Sequence, residues 1–301
     1  MDVFEWIMFI MVSIYTLSMI YLLLFGLINS LKSPMDYNGV GGTDKNIFGW
    51  PRMDEKYGGA FLGLRFQTYV EMLRDFRIQI TPLGQGIRFV YIEEQLLNTL
   101  VYAVAMSFAT IMTQVMVAYA VAKYDFKLKS VIYNTAVIVM LIPIVGSLAS
   151  EVRFADFFNL KDSVLGVCIL RCKFTGMYFL VFYATFKSVS WTYAEAAMID
   201  GAGHLQIFIQ IMLPLVMNSI FAVFILQFIA NWNDYFTPMI FIPNKPTIAY
   251  GLYSFQFDSR ESIFVPHKLA ASLFSSFPII VLFIIFRNKI MGNVRMGGIK
   301  G

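Results

Sequence analysis

Four runs of this chain, residues 6–31, 95–122, 130–150 and 205–233, contain no Asp, Glu, Lys or Arg. A helix needs roughly 20 apolar residues to cross the hydrocarbon core of a bilayer, and each run is that long. Backbone amides in lipid must be satisfied within the chain, so runs of this kind become helices. Only 14% of the residues are charged, against about 25% in soluble domains. Such a chain cannot cover its surface with polar groups. The expected fold class is all-α, polytopic and membrane-spanning.

Six spans are expected, at about 6–29, 96–122, 130–149, 163–186, 206–233 and 268–286, with the fourth interrupted by Arg171 and Lys173. The first apolar run lacks a basic leader and a small-residue cleavage site, and reads as a retained span. With the N-terminus inside, the short inner segments carry Lys123, Lys127, Lys129, Lys187, Arg287, Lys289, Arg295 and Lys300, and the short outer ones Arg153, Lys161, Lys245, Arg260 and Lys268. That bias favours N-in, C-in. It leaves 32–94 as a long extracytoplasmic loop, opening with turn material at Ser33-Pro34, Asn38-Gly39 and Gly41-Gly42 and including Gly58-Gly59. Within it, apolar residues at 66, 69, 70, 73 and 76 predict a short helix with one apolar face.

Several classes are excluded or weakened. The net charge of +4 is dispersed, whereas nucleic-acid binding needs a clustered basic face. Cys168 and Cys172 lie four apart, on successive turns of a helix, and read as packing residues rather than a disulfide. His204 and His267 fall on opposite sides of the membrane and share no metal site, with His204 an exposed loop residue. No Gly-x-x-x-x-Gly-Lys-Ser/Thr occurs, so this chain binds no ATP phosphates through that loop. An ion-coupled secondary transporter is the alternative reading, but it calls for intramembrane acids or an inverted repeat. The charge-free spans offer no acids.

Between spans four and five, at 190–213, lies the segment with a fixed polar grammar. Thr192 and Glu195 fit a capping box. Gly201 suits the helix end, where positive φ is needed. A second helix resumes near His204, and Pro214 sits in the first turn of span five. The result is a helix–turn–helix in which Ala196 and Ala197 permit close approach of a partner.

The spacing Glu195-Ala196-Ala197, then Asp200-Gly201, then Ile211, Leu213 and Pro214 resembles the EAA loop of ABC-importer permeases. Further residues resemble the carbohydrate-importer branch, in particular the maltose-type G permeases. These are Asn98-Thr99-Leu100, the run from Phe228 to Pro238 with Asn231, Trp232, Asn233 and Asp234, and the tail Gly297-Gly298-Ile299-Lys300-Gly301. Asn218 stands where that family usually has a second proline, Ser190-Trp191 replaces an Ile-Pro entry, and the outer loop is longer than usual.

This resemblance implies a single permease domain over 1–301, in a bacterial plasma membrane, with the ABC type I importer fold. It implies a second homologous permease, two ATPase subunits, an extracellular solute-binding protein, and a carbohydrate, an oligosaccharide by expectation, as cargo. No cofactor is expected in this chain and no catalysis; ATP and Mg belong to the partner ATPases. Glu195, Ala196, Ala197, Asp200, Gly201, Ile211, Leu213 and Pro214 are the expected coupling residues. Gly297, Gly298, Lys300 and Gly301 form a tail expected at the ATPase interface. Asn231 to Asp234 end span five as an aromatic belt, or else close an outer gate or contact the binding protein. Arg171 has three open readings: a polar sugar pathway, a salt bridge to the partner permease, or snorkelling, with no acid expected from a nearby span.

Overall fold

The computed structural model describes residues 2–39, 44–54, 63–82, 84, 86–142, 146–260 and 263–294. Val3–Ser30 forms α1, followed by α2 (Pro34–Asn38), α3 (Gln67–Asp75), an antiparallel hairpin of β1 (Arg77–Ile80) and β2 (Arg88–Tyr91), and α4 (Ile92–Lys123). Then come α5 (Lys129–Leu141), α6 (Leu148–Phe157), α7 (Val164–Arg171), α8 (Met177–Ser188), α9 (Thr192–Ile199) and α10 (His204–Ile207). A π-helical stretch, Phe208–Met212, joins α10 to α11 (Leu213–Trp232). Last are α12 (Phe236–Phe241), α13 (Ile248–Gln256) and α14 (Val265–Val294). The chain divides into two compact units, Met1–Glu94 with Gly251–Ile280, and Gln95–Tyr250 with Val281–Gly301.

Among the described residues, four helical segments are long and apolar enough to cross a membrane: Val3–Ser30, Ile92–Lys123, His204–Trp232 and Val265–Arg287. They coincide with the first, second, fifth and sixth expected spans. The other two expected spans are not single helices. Helix α5 has 13 residues, about 20 Å against a core of about 30 Å. It stops before Pro143, where the residue preceding a proline is pushed out of the helical region; Ile142 takes φ −90°, ψ 113°. The segment expected as span four is α7 and α8 with an extended break from Cys172 to Gly176. Two local demands coincide there. Arg171 forms an ion pair, and Gly176 is approached so closely by Gln114 that a Cβ would stand 3.1 Å from its Nε2.

The second unit has two packed clusters. One joins Ile111, Val115, Ala118 and Tyr119 of α4 to Phe179, Phe182 and Phe186 of α8, Ala194 and Ala197 of α9, and Val216, Ile220 and Val223 of α11. The other joins Tyr102 and Met106 of α4 to Ala155, Val167, Cys168 and Phe241. In lipid such clusters gain from fit rather than from water exclusion. The three α8 phenylalanines fit well enough to be wholly buried. Both cysteines are free, with Cys168 packed against Met106.

In the first unit α3 forms as expected, but only part of the expected apolar face is packed. Met72 is buried, Tyr69 and Phe76 pack beside it, and Phe66, Val70 and Leu73 are exposed. The partners available to the helix, Ile92, Phe255, Ile263 and Ala271, cover the 69–72–76 stripe instead. The chain after α1 folds around a polar knot. The Lys32 ammonium, wholly buried, donates to the carbonyls of Asn46 (2.6 Å) and Ile47 (3.2 Å). Burial pushes it below the usual lysine range, opposed by the Asp36 carboxylate. Asp36 in turn accepts from Asn46 Nδ2 (2.9 Å) and from the Arg52 amide (3.1 Å). Removing a buried acceptor strands its donors, at about 1–3 kcal/mol each. Asp36→Ala is therefore expected to speed amide hydrogen exchange at least about tenfold at 46, 49 and 52, while amides within α4 keep wild-type protection.

Candidate functional site

Helix α9 is set by its two ends. Thr192 is its first residue rather than its cap, so the expected capping box with Glu195 does not form. The Thr192 amide instead donates to the Ser190 hydroxyl (3.3 Å), and the Trp191 carbonyl accepts from Ala194 (2.8 Å) and Glu195 (3.1 Å). At the other end the amide of Ala202 donates to the Ala197 carbonyl (2.9 Å) and that of Gly201 to Met198 (3.0 Å). These two bonds make a Schellman cap. Gly201 has φ +84°, and nothing lies within 4 Å of where its Cβ would be. The glycine is required by backbone conformation, not by space.

The helix has two faces. Ala194 and Ala197 are buried in the α4–α8–α11 cluster, so Ala197 packs against its own chain. Glu195 and Ala196 are exposed together with Asp200, Tyr193 and Ile199, the last 87% exposed. Alanine at 194 and 197 lets the helix backbone lie close to the core; a larger side chain would lift it.

An aromatic clamp that the sequence reading missed holds this segment. Tyr124, just past α4, has its ring 5.5 Å from Tyr119, 5.6 Å from Trp191 and 5.5 Å from His204. Its hydroxyl bonds to His204 Nδ1 (3.1 Å) and to the Tyr119 hydroxyl (3.2 Å). Tyr119 also meets Phe186 and Phe208. The Lys123 ammonium donates to the carbonyl of Val189, where α8 ends. The signal was the Lys123-Tyr124 pair just past a span, but no local pattern names its partners 65–80 residues away.

Beyond His204 the helical path runs without interruption into α11, so Pro214 lies inside a longer helix instead of opening one. Proline lacks an amide and clashes with the carbonyl four residues back. The π-helical stretch Phe208–Met212 immediately before it supplies the wider turn. Ile211 and Leu213 are half-buried, and Pro214 is exposed.

A second polar group lies within the same unit. Arg171 pairs with Glu151 of α6 at 3.0 Å and lies over the Phe241 ring at 5.2 Å. The acid comes from outside the expected spans: Glu151 belongs to α6, in the segment that connects the third and fourth of them. The Tyr102 hydroxyl donates to Asp234 (2.8 Å), which also accepts from the Thr237 amide (3.0 Å). Asn231, buried, donates to the Ser107 hydroxyl (2.9 Å) and accepts from Gln227 (3.2 Å). Trp232 is buried 5.7 Å from Phe228, and Asn233 is exposed. The four residues 231–234 therefore divide among different surroundings. Gly297, Gly298, Lys300 and Gly301 lie outside the described residues. Among the described residues, no group of three or more His, Cys, Asp or Glu side chains could hold a metal ion.

Residues 114–288 match the family of binding-protein-dependent transport system inner membrane components. The chain belongs to that family. It is a multi-pass permease subunit of the bacterial plasma membrane. The arabinooligosaccharides transport system permease protein AraQ of Bacillus subtilis is 26% identical over 213 residues, 68% of this chain and 72% of that protein. The diacetylchitobiose uptake system permease protein NgcG of Streptomyces coelicolor is 25% identical over 206 residues, 67% and 68% of the two chains. The fold is similar to a chain from a bacterial ABC transporter involved in the import of the acidic polysaccharide alginate. The TM-score is 0.74 at 19% identity, covering 95% of this chain and 96% of the other.

Tyr124 offers a direct check on the clamp. Truncating a half-buried aromatic with three ring neighbours costs about 2 kcal/mol. Tyr124→Ala is expected to make the 190–203 segment several-fold more sensitive to limited proteolysis, with α11 unaffected; equal cleavage rates would contradict the clamp.

Proposed function

We propose that this chain is one of two homologous permeases in an ATP-driven importer that moves a carbohydrate delivered by an extracellular solute-binding protein. In this reading the whole of 1–301 is one permease domain crossing the membrane six times, N-in and C-in, with the fourth crossing made of α7 and α8. Residues 32–94 face the solute-binding protein side, and 190–213 faces the ATPases. Two partner ATPase subunits supply ATP and Mg chemistry, and this chain contributes no catalytic group.

The observation that carries the reading is α9: a short helix seated on the core by Ala194 and Ala197, with Glu195, Ala196 and Ile199 left outward. Such a helix suits a groove on a moving partner, with Glu195 and Asp200 as polar anchors and Gly201 as the stop. Since it is packed on α4, α8 and α11, displacement of α9 drags three helices with it, as alternating access by rigid-body rocking needs. The tail with Gly297, Gly298, Lys300 and Gly301 is assigned to the ATPase interface by family resemblance. Carbohydrate as cargo is supported by relatives named for arabinooligosaccharide and diacetylchitobiose transport.

Gly201→Val forces a β-branched residue into positive φ, whereas asparagine tolerates it. In proteoliposomes carrying the full assembly, Gly201→Val and Glu195→Lys are expected to abolish uptake and uncouple ATP hydrolysis, with Gly201→Asn close to wild type. Wild-type uptake in the first two would sink the coupling assignment. A panel of labelled oligosaccharides is expected to show uptake that needs ATP and survives collapse of proton and sodium gradients. Gradient-driven uptake without ATP would establish the ion-coupled alternative.

A further inference from the structure

We propose that Gln114 and the uncapped N-terminus of α8 at Gly176 form a contact for a hydroxyl group of the transported carbohydrate, so that this chain itself touches the cargo. The proposal rests on the carbohydrate reading above and assigns it a place in the chain.

Gln114 is 4% exposed, and its Oε1 is fully buried with no hydrogen-bond partner among the described residues. An unmet buried amide oxygen costs about 1–3 kcal/mol. The end of that amide lies over Gly176: a Cβ there would meet Nε2 at 3.1 Å, Cδ at 3.8 Å and Oε1 at 3.9 Å. Gly176 is the cap residue of a 12-residue helix, and no side chain caps it. The first amides of such a helix point outward without intrahelical partners and carry the positive end of its dipole. An unmet acceptor thus stands beside a helix start that no side chain caps, where the Phe179 amide turns back to the Gly176 carbonyl (3.1 Å).

Their depth is informative. Gln114 precedes the end of α4 at Lys123 by nine residues, about 14 Å along the axis. Gly176 precedes the end of α8 at Ser188 by twelve residues, about 18 Å. Both values fall near the middle of a core of about 30 Å, whichever way the chain is oriented. Irregular backbone at that depth is tolerated where protein buries it or where it lines a polar cavity. The break also exposes Lys173, which disfavours a purely lipid surrounding.

A lipid chain can meet neither need. A hydroxyl meets both, because it donates its proton to Gln114 Oε1 and accepts from an α8 amide. In the present conformation Oε1 is closed off, so the contact is made when the Gln114 side chain turns toward the break between α7 and α8, with α4, α8 and α11 still moving as one body. A structural water is the competing occupant, and it predicts an effect on stability with none on sugar binding.

The test uses the complete permease–ATPase assembly and the labelled oligosaccharide that its wild-type form imports. Equilibrium binding to the assembly without solute-binding protein is expected to weaken about tenfold in Gln114→Leu and in Gly176→Ala. Both variants should lose discrimination between the sugar and its matching deoxy analogue. In a Cys168→Ala, Cys172→Ala background, Gln114→Cys is expected to react with a hydrophilic thiol reagent in one nucleotide state, and the sugar should slow that reaction. Unchanged binding with only a shifted melting temperature would leave the site to a water and overturn the proposal, as would a cysteine unreactive in every state. If wild type imports no carbohydrate at all, the underlying reading fails instead, and the two failures are told apart by the wild-type uptake alone.

Discussion

One constraint bears on the apolar helices of this chain: backbone amides within a bilayer have no water to bond, so a regular helix is costly to abandon unless other atoms compensate. Three departures among the described residues have local causes. At Ile142 a following proline ends the helix. At the π-helical stretch 208–212 a wider turn takes in the missing amide and bulky ring of Pro214. Between Arg171 and Gly176 the break is flanked by the Arg171–Glu151 ion pair and by the Gln114 amide. Charges and glycine inside an otherwise oily segment mark where the fold stopped behaving as a plain membrane helix.

The segment between α8 and α11 inverts the usual expectation for a connection. Loops are ordinarily the least restrained parts of a fold. Here the ends of α4 and α8 are tied by Lys123 to Val189, the Tyr124 ring fills the space between Trp191 and His204, and α9 is stopped by a two-bond cap. A restrained connection of this kind transmits force, and a slack one would absorb it. That rigidity is what the proposed coupling to an ATPase depends on, more than any single exposed side chain.

Reading the residues alone went far in places. Three of the four charge-free runs located crossing-length helices, while the run 130–150 holds only the 13-residue α5, and the Gly201 stop was legible because positive φ has few occupants besides glycine. The helix at 66–76 was legible too, but its buried face only in part: of the apolar residues at 66, 69, 70, 73 and 76, the partners in space covered 69 and 76, with Met72 between them. Glu151 escaped notice as the partner of Arg171 because the two are 20 residues apart on different helices. The capping box failed for a nearer reason, since Ser190 reached the Thr192 amide first.

By itself the sequence determined the solvent in which the chain folds, its family, and where the polar loop between spans begins and ends, because hydropathy, charge and positive-φ glycine act over a few residues at a time. Tertiary structure alone decided which alanine of the Ala196-Ala197 pair faces outward, which acid neutralises Arg171, and that Gln114 rests on Gly176. Those outcomes depend on distances between segments 20 to 80 residues apart, and packing, not local preference, settles them.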